Sequence, residues 1–159
     1  MATKTILVPV DFSEVTAKVV GAARELAGAL GGHIILLHVS EYDRVPPSGE
    51  VIPGLSMAGF APPVVIVEPE DLLEEEQERL DEVKADIIGT DVETTTLVAR
   101  GRSVSKILEE SEAQKADLIV MGSHGHGAVY NLLVGSVTEG VLKSAKCPVL
   151  VVPSSRSQS

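Results

Sequence analysis

Apolar positions gather in five short runs along the chain. TILVPV (5–10), HIILLHV (33–39) and DLIVM (117–121) are nearly continuous, with little polar alternation, the pattern of strands buried on both faces. VETTTLVA (92–99), rich in β-branched residues, and PVLVV (148–152) are two further strand candidates. Between the runs the period changes to a helical one. Over 13–30, Val15, Val19, Ala22, Ala23, Leu26 and Leu30 recur at helical spacing, with Ser13 as the expected N-cap and Gly31-Gly32 as the stop. Over 71–89, Leu72, Leu73, Leu80, Val83, Ile87 and Ile88 fall largely on one face. Shorter helices are expected at about 103–115 and 136–145.

Strands alternating with helices imply a parallel sheet with right-handed crossovers. Ligands of such sheets bind beyond the carboxyl ends of the strands, where the strand order reverses. Residues 9–11, 39–40, 100–101 and 121–125 stand at those ends. One segment breaks the rhythm: residues 40–69 hold six prolines and three glycines, too many for a regular helix. A loop of that length reads either as a flap or interaction segment beside the second strand, or as a tolerated insertion; the residues favour neither.

Composition narrows the picture. A chain of 159 residues, 44% of them hydrophobic, is expected to form one domain over 1–153, with 154–159 as a flexible tail. Aromatics are only 3% and Trp is absent, so the core must be aliphatic. With 23 acidic against 13 basic residues, a net charge of −10, and no basic cluster, nucleic acid is a poor partner. Anions remain possible ligands, because backbone N–H groups hold phosphate without side-chain charge. The single cysteine, Cys147, excludes an internal disulfide and fits a reducing compartment; beside Pro148 it marks entry to the last strand. No stretch is long and apolar enough for a membrane span and the N-terminus lacks signal-peptide order, so a cytoplasmic protein is expected. The acidic run at 68–82 reads as the solvated face of a helix whose Leu72, Leu73 and Leu80 are buried.

The chemistry concentrates in GSHGHGAVYNLLVGS (122–136), which carries four glycines and two histidines directly after an apolar run. It is not a Walker A loop, since no GKS or GKT occurs. It is not a dinucleotide fingerprint either, because that motif follows the first strand, where this chain reads PVDFSE without glycine. The H-x-G-H signature of nucleotidyl transferases fails at its first position, which is Ser123. What remains is a spacing: Gly122, two residues, Gly125, nine residues, then Gly135-Ser136. With ILVPVDFSE, HVSE after the second strand, Gly101 before the third helix, and ADLIVMGSHG, it resembles the universal stress protein family, in its ATP-binding branch. The resemblance spans the chain except the 41–70 loop and the final six residues.

That resemblance implies a five-stranded parallel α/β sheet with helices on both faces, Rossmann-like, in the order 3-2-1-4-5. It implies that Asp11 accepts from ribose hydroxyls, that Pro9 and Val10 line the same pocket, that the backbone of Val39 reads the adenine edge, and that Met121 packs near the base. Gly122 and Gly125 would let the backbone approach a triphosphate, while Gly135, Ser136 and Val137 would offer it the N-terminus of the last helix. Other readings stand beside these. Asp11 could cap the following helix, Ser136 with Glu139 forms a capping-box pattern that needs no ligand, and Val39 and Met121 could be ordinary core residues. His126 replaces an arginine common in the family, so phosphate affinity is expected to rise as pH falls through about 6.5. His33, His38, His124 and His126 lack carboxylate or thiol partners at ligand spacing, so a metal is expected only if carried with the nucleotide.

The function implied is that of an adenine-nucleotide-binding regulator, holding ATP, or alternatively AMP or ADP, and acting on an unidentified partner protein. The rival is a slow ATP hydrolase or nucleotidyl-transferring enzyme, for which His124, His126 and Arg102 are the available groups. A third reading is an interaction module with a vestigial pocket, against which the intact glycine spacing argues. PVLVV (148–152) carries no charge between Lys146 and Pro153, and the resemblance puts it at a sheet edge. A homodimer through that strand, or a higher oligomer, is therefore expected.

Overall fold

The computed structural model describes residues 3–41, 69–125 and 134–154. Within them, β1 Thr5–Pro9, β2 His33–Ser40, β3 Thr94–Arg100, β4 Leu118–Gly122 and β5 Val149–Val152 form one parallel sheet. Their order is β3-β2-β1-β4-β5. Helices α1 Thr16–Leu30, α2 Pro69–Val83, α3 Ser103–Ala113 and α4 Ser136–Ser144 alternate with the strands. The doubly wound Rossmann-like architecture is the expected one. Most of the proline- and glycine-rich segment, His126 and the last five residues lie outside the described residues.

The sheet has a separate core on each face. Side chains alternate across a strand, so Ile6 and Val8 of β1 pack with Val20 and Ala23 of α1 and with Leu80. Leu7 points the other way, toward Ile107 of α3 and Val141 of α4. All three strand residues are completely buried, each contributing about 1.5–3 kcal/mol of hydrophobic stabilisation. This two-sided burial is what made β1 read as a continuous apolar run. Pro9, which has no N–H to give, ends the strand, and Val10 donates to the Leu37 carbonyl at 2.8 Å.

Three local expectations are corrected. Ser13 does not cap α1: the helix begins at Thr16, its N-cap position is Val15, and no side chain bonds there. The Ser13 carbonyl instead accepts from Thr16 N–H at 3.1 Å, closing a turn before the helix. The second helix starts two residues earlier than its apolar pattern, with Pro69 at its first position, where a missing N–H costs nothing. It also does not run unbroken to 89, but widens into a π-helical turn over Lys84–Ile88, closed by Gly89 N–H on the Lys84 carbonyl. The wider turn keeps both Ile87 and Ile88 on the core side. As expected, α2 exposes Glu74, Glu75, Glu78 and Glu82 and buries Leu80, but Leu72 and Leu73, expected to be buried with it, are only half-buried in the first turns of the helix. Gly31 ends α1 in the left-handed region at φ 62, as a C-terminal glycine does.

Candidate functional site

Strand order reverses between β1 and β4. Their ladder pairs Ile6 with Leu118 and Leu7 with Ile119, and both strands then run on, to Pro9 and to Gly122. A cleft of about 450 Å³ opens at these carboxyl ends, the place that the topology favours for a ligand. Pro9, Val10, Asp11, Val39 and Met121 all line it. So do Gly122, Gly125, Gly135, Ser136 and Val137. Of the candidate site residues only His126 is not placed, since it lies outside the described residues.

Two hydrogen bonds bring the halves of the glycine segment together. Gly135 N–H donates to the Ser123 carbonyl at 2.6 Å, and Thr138 Oγ1 donates to the Gly122 carbonyl at 2.7 Å. The turn after β4 and the first turn of α4 therefore share one wall. Ser123 is tied further: its N–H reaches the Val152 carbonyl at 2.9 Å, and its Oγ accepts from Ser154 N–H at 3.0 Å.

The capping-box reading of Ser136 is overturned. Gly135 occupies the N-cap and Ser136 is the first helical residue, while Glu139 pairs with Lys143 at 2.6 Å. That contact holds the Glu139 carboxyl below its ordinary range. No side chain caps α4, and its first backbone bond within the helix runs from Glu139 N–H to the Gly135 carbonyl. The N–H groups of Ser136, Val137 and Thr138 thus precede the first helical donor, at the positive end of the helix dipole. All three residues line the cleft.

The three glycines have different reasons to be glycine. A Cβ at Gly122 would stand 3.2 Å from Val15 Cγ1 and from the His124 carbonyl oxygen, so packing of the start of α1 over the end of β4 already favours glycine there. A Cβ at Gly125 would overlap the Oδ2 of Asp11. At Gly135 a Cβ would meet nothing closer than 3.5 Å among the described residues, and φ is an ordinary −72°. Close ligand approach was the sequence-based reason for Gly122 and Gly125, and packing supplies an independent one for both; Gly135, expected to open the last helix, stands at its N-cap.

Asp11 does not cap α1. Its Oδ1 accepts from Ser13 N–H at 3.0 Å across Phe12, which takes a left-handed φ of 59°, uncommon for a bulky residue. The sequence reading missed Leu37, Ile107, Glu41 and Ser103, which also line the cleft. Glu41 Oε1 accepts from both Ser103 N–H (2.9 Å) and Ser103 Oγ (2.5 Å), placing a carboxylate at the N-terminus of α3. The available signal was position alone: Glu41 follows the second strand and Ser103 starts a helix. Arg102 is not among the lining residues. His33 and His38 are not brought to His124: His33 Nε2 meets Thr95 Oγ1 and His38 Nδ1 meets the Val10 carbonyl, both at 2.9 Å. Among the described residues no cluster of three metal-ligating side chains forms, and no helix is long and apolar enough to cross a membrane.

The universal stress protein family model matches residues 2–153. Universal stress protein MJ0577 of Methanocaldococcus jannaschii is 30% identical over 152 residues, which cover 94% of each chain. The solved structure of MJ0577 superposes with a TM-score of 0.72 at 29% identity, covering 99% of this chain and all of the other. Two more distant structures, each 22% identical, share the fold. A universal stress protein in complex with cAMP has a TM-score of 0.67, covering 98% of this chain and all of its own. The Archaeoglobus fulgidus protein in complex with dAMP has a TM-score of 0.62, covering 95% and 98%. With a family match over nearly its whole length and a full-length relative of the same fold, the chain belongs to the universal stress protein family.

Proposed function

We propose that this protein binds an adenine nucleotide, ATP in the first place and AMP or ADP as alternatives, and that its bound state regulates a partner protein in the cytoplasm. The cleft suits such a ligand from both ends. Pro9, Leu37, Val39, Ile107 and Met121 give it apolar walls for a flat base, and Asp11 offers a carboxylate to ribose hydroxyls. Gly122, Gly125 and the uncapped start of α4 offer backbone N–H groups to phosphates. No lysine or arginine is among the described lining residues; backbone donors, with His126 beside them, are the proposed phosphate contacts, and a metal ion enters only with the nucleotide. Two structural neighbours are described as complexes with cAMP and dAMP, which supports the same ligand class.

The observation that carries this reading is the pair of hydrogen bonds, Gly135 to Ser123 and Thr138 to Gly122, that joins the glycine turn to the helix N-terminus in one wall. The protein is read as a regulator because His124 is the one described lining residue with a basic ring, and its Nδ1 is engaged by Ser123 Oγ at 3.2 Å. A homodimer through β5 completes the proposal. The test is to denature freshly purified protein, identify any released nucleotide by mass spectrometry, and titrate the emptied protein with ATP by calorimetry. Absence of both co-purified nucleotide and heat of binding at millimolar ATP overturns the reading. Rapid steady-state phosphate release would move it to an enzyme.

A further inference from the structure

Asp11 is held from a direction that the cleft itself does not reveal. Behind it, at the end of β2, the His38 side chain is only 12% exposed. Its Nδ1 lies 2.9 Å from the Val10 carbonyl oxygen. A carbonyl can only accept, so Nδ1 carries the proton and donates. That carbonyl belongs to the peptide joining Val10 to Asp11. Because the peptide is planar, holding the oxygen also sets the Asp11 nitrogen and the direction in which its Cα leaves the plane.

On the α2 side a carboxylate stands near the other ring nitrogen, an ion pair only when the ring carries both protons. Nε2 faces Glu76 Oε1 at 3.5 Å, and that oxygen also accepts from Ser40 Oγ at 3.1 Å. The other oxygen, Oε2, is buried without a hydrogen-bond partner. Leaving that one oxygen buried without a partner opposes folding. On the far side of Asp11, the Phe12 ring packs against the same imidazole at a tilt of 37°, with centroids 4.4 Å apart, and the Arg79 guanidinium sits 4.3 Å from the Phe12 centroid. Phe12 is the residue in the left-handed region, a backbone state that persists only where its surroundings impose it. One ring therefore touches the peptide before Asp11 and the side chain after it.

We infer that His38 is a positioning residue for nucleotide binding: its Nδ1–H, bonded to the Val10 carbonyl, sets the Asp11 carboxylate where ribose hydroxyls meet it. The inference rests on the proposed nucleotide reading and adds to it a residue that never touches the ligand.

The experiment compares ATP with 2′,3′-dideoxy-ATP, which lacks both ribose hydroxyls, on wild type, His38→Phe and His38→Asn. Phenylalanine keeps a ring on Phe12 but removes the donor; asparagine loses the ring but keeps an N–H at the same distance from the backbone. Wild type should prefer ATP. His38→Phe should weaken ATP about tenfold, the effect of losing about one buried hydrogen bond, and leave dideoxy-ATP within about twofold. His38→Asn should restore most of the ATP preference. Should the phenylalanine chain not fold, His38→Ala serves as the donor-free variant. Equal losses for both nucleotides, or rescue by the ring rather than by the amide, would make His38 merely structural and overturn the inference. Wild type that binds neither nucleotide overturns the underlying reading as well; wild type that binds both equally overturns only the positioning role.

Discussion

The carboxylate of Asp11 packs against the Cα of Gly125, with no room between them for a Cβ. Two residues from opposite ends of the chain therefore act as one feature of the cleft: the glycine lets the aspartate stand where it does. Gly125→Ala should push Asp11 out of position, since the Asp11 carboxylate is what the new Cβ meets among the described residues. We expect it to weaken ATP binding by nearly as much as Asp11→Ala, roughly 1.5–3 kcal/mol for charge-assisted hydrogen bonds. The double variant should be little worse than either single one. Calorimetry on all four proteins checks this; losses that simply add would mean the two residues act separately.

Gly122 and Gly135 should behave differently from Gly125 and from each other. At Gly122 a larger side chain meets Val15 and Val19 of α1 and the His124 carbonyl. Gly122→Val should therefore lower stability by about 1–3 kcal/mol, the usual cost of overpacking. Gly135→Ala meets only ordinary contacts and should stay within about 0.5 kcal/mol of wild type. Urea melts distinguish them, and comparable destabilisation by both would contradict the packing described.

This contrast shows what could be read from the chain and what could not. The strands were legible because the middles of β1, β2 and β4 are buried on both faces and so form nearly continuous apolar runs. Sheet order and cleft lining came from the resemblance and from strand ends, where topology concentrates ligands. The Ser13 cap was misread because the cap pattern is local, whereas here the turn geometry is set by Asp11 and Phe12. The π-helical turn at Lys84–Ile88 was invisible because a period of 3.6 is all that an apolar pattern reports. His38, Glu76 and Thr138 went unrecognised for a third reason. Their partners, Val10, Ser40 and Gly122, are distant in sequence, and no spacing rule encodes a contact that only the closed sheet creates.

Acid should act on the fold through Asp117. Its Oδ2 accepts from Thr5 N–H at 2.8 Å and its Oδ1 from Lys4 Nζ at 3.3 Å, tying the start of β1 to the start of β4. The backbone bond first, and Lys4 after it, hold the Asp117 carboxyl below its usual range. A group depressed in the folded state stabilises above its unfolded value, near 3.9 for aspartate. That stabilisation is lost as pH falls through the lower folded value. Wild type should thus lose urea resistance below about pH 4, whereas Asp117→Asn should be weaker at neutral pH and lose less between pH 5 and pH 2. An NMR titration placing Asp117 at or above the ordinary aspartate value would refute this.

The proposed dimer can be tested on the outer strand. β5 is an edge of the sheet, paired on one side with β4, and Leu150 in its middle is 40% exposed, unusual for a leucine flanked by valines. The charges nearby do not guard that edge. Lys146 turns to Glu112 of α3 at 3.0 Å, and Lys18 of α1 reaches past the strand to the Pro153 carbonyl at 2.7 Å. An apolar edge left unguarded is satisfied most simply by a second copy of itself, antiparallel about a two-fold axis. Leu150→Glu should place two like charges near that axis and leave monomers that keep their fold and their nucleotide affinity. Light scattering at micromolar protein measures the state directly. A wild-type monomer would end the proposal, and a dimer indifferent to Leu150→Glu would place the interface on another surface.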